Sequence, residues 1–95
     1  MNKAKELLVQ LSEKLELPAQ IVAGSPRVEV IGARECNVEL QKGLVEYNPD
    51  RVKVLTTDGT VVIEGTHLHI HQMNSDRISV RGKIGQISLL GAGYE

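Results

Sequence analysis

Hydrophobic residues recur along this chain at two different periods. In the opening stretch NKAKELLVQLSEKLELP, Ala4, Leu7, Leu8, Leu11 and Leu15 fall at helical spacing, while Lys5, Glu6, Glu13, Lys14 and Glu16 take the rest of the wheel. That is the pattern of an amphipathic helix, and Pro18 ends it. Residues 1–17 are therefore predicted as one helix of about four turns, and 18–26 as a connector leading to Pro26. From Arg27 onward the period is two: RVEVI, CNVEL, RVKVL, HLHIH and RISVR all alternate, bounded by Gly, Asn, Asp or Pro. Such runs at spacings of about 8–10 residues predict about eight short strands over 27–90, followed by a tail at 91–95.

The predicted fold class is mainly β: an N-terminal amphipathic helix followed by an antiparallel β-meander that forms a sandwich or partial barrel. A short β-solenoid is the alternative, because strands of similar length between glycine-containing turns also suit stacked coils. Pairing follows from the turns. Asp58-Gly59 is a strong hairpin signal, and a two-residue turn there sets Val54 opposite Ile63, Leu55 opposite Val62 and Lys53 opposite Glu64. A turn at Lys42-Gly43 would pair Leu40 with Val45 and leave Glu39 opposite Glu46. Two facing carboxylates suggest a general acid and base, but no nucleophile or apolar pocket accompanies them, so a solvated face is the favoured reading.

Composition narrows the function classes. A chain of 95 residues is one domain, which at this size buries about 60–65% of its unfolded surface. It has no Phe or Trp and only Tyr47 and Tyr94, so the core must be aliphatic and thin, and assembly with copies or a partner would relieve the shortage. Eleven Lys and Arg balance twelve Asp and Glu without a basic stripe, which argues against a nucleic-acid partner, as does the want of stacking aromatics. The lone Cys36 reads as a small buried apolar residue. The apolar run Leu7–Leu11 is interrupted by Gln10 and followed by Ser12-Glu13-Lys14, which is not a signal peptide, and no run reaches the roughly 20 residues of a membrane span. A reducing cytoplasmic setting is the expectation.

THLHIHQM, residues 66–73, carries His67, His69 and His71 at every second position. On a strand, neighbours of this kind stand about 6–7 Å apart and the outer pair about 13 Å apart, so three cannot share one ion although two can. His69 and His71 are thus the candidate ligands of a His-x-His metal site. A third ligand is missing, however. A three-residue loop at Asn74-Ser75-Asp76 sets Ile70 opposite Val80, His69 opposite Arg81 and His71 opposite Ser79, which places a cation beside the proposed ion. A polar histidine face on a half-exposed strand is favoured, with a pH-sensitive face as the weaker alternative. No nucleophile elbow or phosphate loop is present, and Gly82 and Gly85 read as a turn and a bulge. No catalytic residue and no cofactor is assigned, and the chain is expected not to be an enzyme.

The order of segments carries more. PRVEVIG, GLVEYNPDRVKVLTTDGTVVIEG, LHIHQMNSDRISVRGKI and the closing QISLL, preceded by LELPAQIV, resemble the YabP/YqfC family of sporulation proteins over about residues 15–90, with the helix-plus-proline entry closer to the YqfC branch. The shared motifs are PRV-x-V-x-G, G-L-x-x-Y/F, V-x-I-x-G and I-x-V/L-x-G-x-I-x-x-I; the three histidines and the ending GAGYE are not among them. The resemblance implies a non-enzymatic structural or interaction protein of endospore formation, made in the mother-cell cytoplasm and placed at or near the forespore membrane. Its implied partner is a membrane-bound sporulation protein; copies of itself remain the partner that the thin core suggests, with no nucleic acid and no small-molecule substrate expected. Leu7, Leu11 and Leu15 are the candidate partner-binding residues. A metal-binding protein and a membrane-peripheral adaptor using the N-terminal helix are the alternatives.

Overall fold

The computed structural model describes residues 25–91. The predicted helix with Leu7, Leu11 and Leu15, the connector up to residue 24 and the last four residues lie outside the described residues. Six strands follow one another: β1 (Arg27–Ile31), β2 (Glu35–Glu39), β3 (Gln41–Asn48), β4 (Arg51–Thr56), β5 (Gly59–Met73) and β6 (Arg77–Gly91). They form one sheet in the order β1-β2-β6-β5-β4-β3, and every neighbouring pair is antiparallel.

Among the described residues there is no helix. The sheet corrects the predicted fold class in three respects. The expected sandwich or partial barrel of about eight strands is instead a single sheet of six. The order is no simple meander, because β2 lies against β6 and not against β3. Antiparallel pairing throughout also excludes the solenoid, whose coils stack in parallel. The strand count differs because runs read as separate strands are halves of two 15-residue strands, β5 and β6. Their alternation is broken by register shifts at Glu64/Gly65, Thr66/His69 and Ile70/Gln72. A bulge adds one residue to one strand and bends it, so the inward face changes parity without the strand ending.

The bends let one sheet enclose its own core. The first half of β5 pairs with β4 and with the end of β6, and the second half pairs with the start of β6, which β2 flanks. Val52, Val54 and Ile63 from one half meet Cys36, Val38, Ile78 and Val80 from the other, all at 0% exposure, with Val61 and Leu68 in the same cluster. Every one is a medium-sized side chain, as the composition required, and each contributes about 1.5–3 kcal/mol by leaving water. Cys36 is among them, and burial pushes its thiol up to about 11.

Two glycines make the bends possible. Gly82 has φ +142, and a Cβ there would stand 2.6 Å from the His67 carbonyl oxygen. Gly59, with φ +125, faces the Leu90 carbonyl at a distance no side chain could share. The β4–β5 hairpin also differs from expectation. The turn residues are Thr57 and Asp58, Thr56 pairs with Gly59, and Val54 pairs with Val61. The register is thus displaced by two from the one the Asp58-Gly59 signal suggests. Arg51, not Lys53, lies opposite Glu64, at 3.3 Å.

Candidate functional site

The histidines stand where β5 departs from regular pairing. Thr66 pairs with Lys83 and His69 with Arg81, so His67 and Leu68 share the single opposing residue Gly82. His67 takes φ 56, the left-handed region that L-residues enter only in turns and bulges. This turns Leu68 into the core at 3% exposure, and its N–H donates to the Pro49 carbonyl at 2.8 Å. A second bulge leaves His71 without a cross-strand partner, since Ile70 pairs with Val80 and Gln72 with Ser79. The expected pairs His69–Arg81 and Ile70–Val80 are present, and so is the loop over 74–76, where Asn74 Oδ1 accepts the N–H groups of Asp76 and Arg77 at 2.9 and 2.8 Å. His71 does not face Ser79, and the three imidazoles form no even row. His69 Nδ1 instead lies 3.2 Å from the His67 carbonyl oxygen. Among the described residues no three His, Cys, Asp or Glu side chains are grouped to hold a metal ion.

What gathers around His67 and His69 is positive charge. The turn between β1 and β2 is fixed on β6 by two backbone bonds, Gly82 N–H to Arg34 C=O at 3.1 Å and Ile84 N–H to Ala33 C=O at 2.8 Å. Arg34, His67, His69, Arg81 and Lys83 consequently line one open depression of about 680 Å³. Arg81 Nε donates to Glu35 Oε1 at 2.8 Å. The other Glu35 oxygen accepts from Asn37 Nδ2 at 3.0 Å, and the same amide reaches Glu29 at 3.2 Å. The Arg81 guanidinium and then the Asn37 amide hold the Glu35 carboxyl below its ordinary range, and His71 adds a weaker electrostatic pull. Arg34 and Lys83 have no carboxylate within ion-pair distance among the described residues. Sequence spacing gives no hint of Arg34, because a turn held by its own backbone leaves no side-chain pattern.

The acidic pair does not assemble. β2 and β3 do not form a hairpin, because Leu40 at φ 59 carries the chain from one half of the sheet to the other. Glu39 lies 3.9 Å from Arg77, while Glu46 lies 3.8 Å from Lys53 and 4.0 Å from Arg51.

A second surface is apolar. Pro26, Val28, Val61, Leu89 and Leu90 border an open depression of about 280 Å³, and Leu90 is shared with another of about 370 Å³ formed with Val45 and Leu55. Leu89 is 70% exposed and Val45 60%. Both ends of the described chain, at Ser25 and Gly91, leave the sheet beside this surface.

No helix among the described residues is long and apolar enough to cross a membrane. No solved structure matches the chain. A protein of Bacillus subtilis (strain 168) named uncharacterized protein YqfC is similar, 24% identical over 74 residues that span 78% of this chain and 80% of that protein. A family model described as the YabP family matches residues 23–94, which takes in all six strands together with both surfaces, and the chain therefore belongs to the YabP family.

Proposed function

We propose that this chain serves endospore formation as a non-catalytic binding module, assembling with copies of itself through the apolar surface around Leu89 and acting beside the forespore membrane in the mother cell. Membership of the YabP family supports the sporulation role. The observation that carries the binding role is Leu89, 70% exposed beside Pro26, Val28, Val61 and Leu90 in one open depression, with Thr56, Asp58 and Thr60 along its border. Soluble monomers rarely leave such patches uncovered. A second copy is the favoured occupant because a core of medium-sized aliphatic side chains buries little surface within one chain, and pairing this face with its own equivalent adds to that burial. A membrane-bound sporulation protein is the further partner of the assembled form.

Light scattering on a size-exclusion column tests the assembly. The full chain runs as a defined oligomer, and Leu89→Lys or Leu11→Glu converts it to a monomer. A full chain that runs as a monomer overturns self-assembly; if its melting temperature also falls with Leu89→Lys, the stripe of the same chain occupies the surface. The sporulation role is tested separately by deleting the gene in its host. Heat-resistant spore counts fall at least tenfold with vegetative growth unchanged, and undiminished counts overturn it.

A further inference from the structure

We propose that the depression between the β1–β2 turn, the β5 bulge and the middle of β6 is a binding site for a phosphate-bearing anion, with Arg34, Arg81 and Lys83 as its permanent cations and His67 and His69 as its imidazoles. Five basic or imidazole side chains from three separate segments line one concavity, and none of its lining residues is acidic among the described residues. Glu35 neutralises part of Arg81 from the side, while Arg34 and Lys83 are left without ion-pair partners among the described residues. Holding uncompensated cations together is unfavourable unless an anion joins them. The permanent excess of three cations over one carboxylate suits a phosphate, and guanidinium forks match its oxygens in geometry.

Backbone geometry also shapes the concavity ahead of any ligand. The turn bearing Arg34 is pinned by the two hydrogen bonds to β6, and the β5 wall is set by the left-handed His67 over Gly82. A cation is the poorest ligand for this setting, which explains why histidines at metal-like spacing assemble no metal site. The groups facing His67 and His69 are Arg34 from the turn and Arg81 and Lys83 from β6, with Glu35 behind Arg81 and His71 further along β5.

Two sources of phosphate are separated by the probes, inorganic pyrophosphate followed by backbone NMR shifts and phosphatidylglycerol-containing vesicles followed by co-sedimentation. The full chain binds at least one of them. Arg34→Glu and Lys83→Glu each weaken binding at least tenfold with an unchanged melting temperature. Vesicle binding alone names a lipid headgroup as the ligand, and pyrophosphate binding alone names a soluble phosphate. Binding of neither probe, or an equal loss on Lys42→Glu at the exposed start of β3, overturns the proposal.

Discussion

Replacing Ile63 by Ala tests how the bent sheet is held together. Ile63 is 0% exposed, sits mid-strand in β5 and pairs with Val52 on one side and Ile87 on the other. Its loss removes three carbons from the centre of the core. The surrounding side chains are mostly valines, short and fixed at χ1, and they cannot swing into the space, so the penalty falls at about 3–4 kcal/mol within the range for such truncations. A domain of this size has a total stability of about 5–10 kcal/mol. With a urea slope of about 1 kcal/mol per molar for a small domain, the unfolding midpoint falls by about 3 M, read by far-ultraviolet circular dichroism because the chain has no Trp. Ile63→Val, one carbon smaller, costs about 1 kcal/mol. Met73 on the same strand is 52% exposed, and Met73→Ala changes stability by less than about 0.5 kcal/mol. If Ile63→Ala and Met73→Ala shifted the midpoint equally, the face assigned to the core would be wrong, as a one-residue slip of β5 would make it.

Gly82→Ala places a Cβ 2.6 Å from the His67 carbonyl oxygen at φ +142 and is expected to cost about 2–4 kcal/mol in thermal or urea unfolding. Gly85→Ala, whose Cβ would meet Glu64 at an ordinary 3.6 Å, leaves stability unchanged or slightly raised. Cys36 is buried, with its thiol raised to about 11, so iodoacetamide at pH 8 labels it only as fast as the protein unfolds; prompt labelling of the folded chain would refute its place in the core. The Glu35 carboxyl is held below its ordinary value of 4.5. It therefore stabilises the fold above that pH and loses this contribution as the pH falls through the folded value. Glu35→Gln should flatten the decline in stability as the pH falls below 4.5, and an unaltered acid limb would count against the Arg81 and Asn37 contacts.

Alternation in the sequence reveals which side of a strand meets the core but not which partner it meets. Val54 and Ile63 face inward as their spacing requires, yet they are not opposite each other. A displacement of two residues keeps every side chain on its face, so alternation alone does not separate the observed register from the expected one. Around the histidines, the turn sets Met73 opposite Ile78, one residue off the register of a three-residue loop, and the unpaired His71 offsets that difference so that the expected His69–Arg81 and Ile70–Val80 pairs appear. The position of His71 itself is not legible, because bulges have no reliable signature beyond a nearby glycine. The crossing at Leu40 was hidden by the Lys42-Gly43 turn signal, since a local hairpin and a non-local pairing with β6 satisfy the same alternation. Arg34 reaches the site by backbone bonds alone, a cause that no pattern of side chains records.

The bend at the histidines links stability to the candidate site. If β5 ran on from the inward Ile63 without a bulge, His67, His69 and His71 would fall on the core side and Leu68 on the outer side. The extra residue at His67 allows Leu68 to enter the core while β5 turns around Gly82, and the same turn brings the His67 carbonyl, Gly82 and the Arg34 segment together. The cationic depression is thus a by-product of closing the sheet over its core. Substitutions that strain the bend, such as Gly82→Ala, should therefore lower stability and anion binding together. Charge reversals on its rim, Arg34→Glu and Lys83→Glu, touch no core contact and should lower binding alone. Finding the two effects separable for Gly82→Ala, with binding intact in a destabilised protein, would show that the depression is shaped by something other than the bulge.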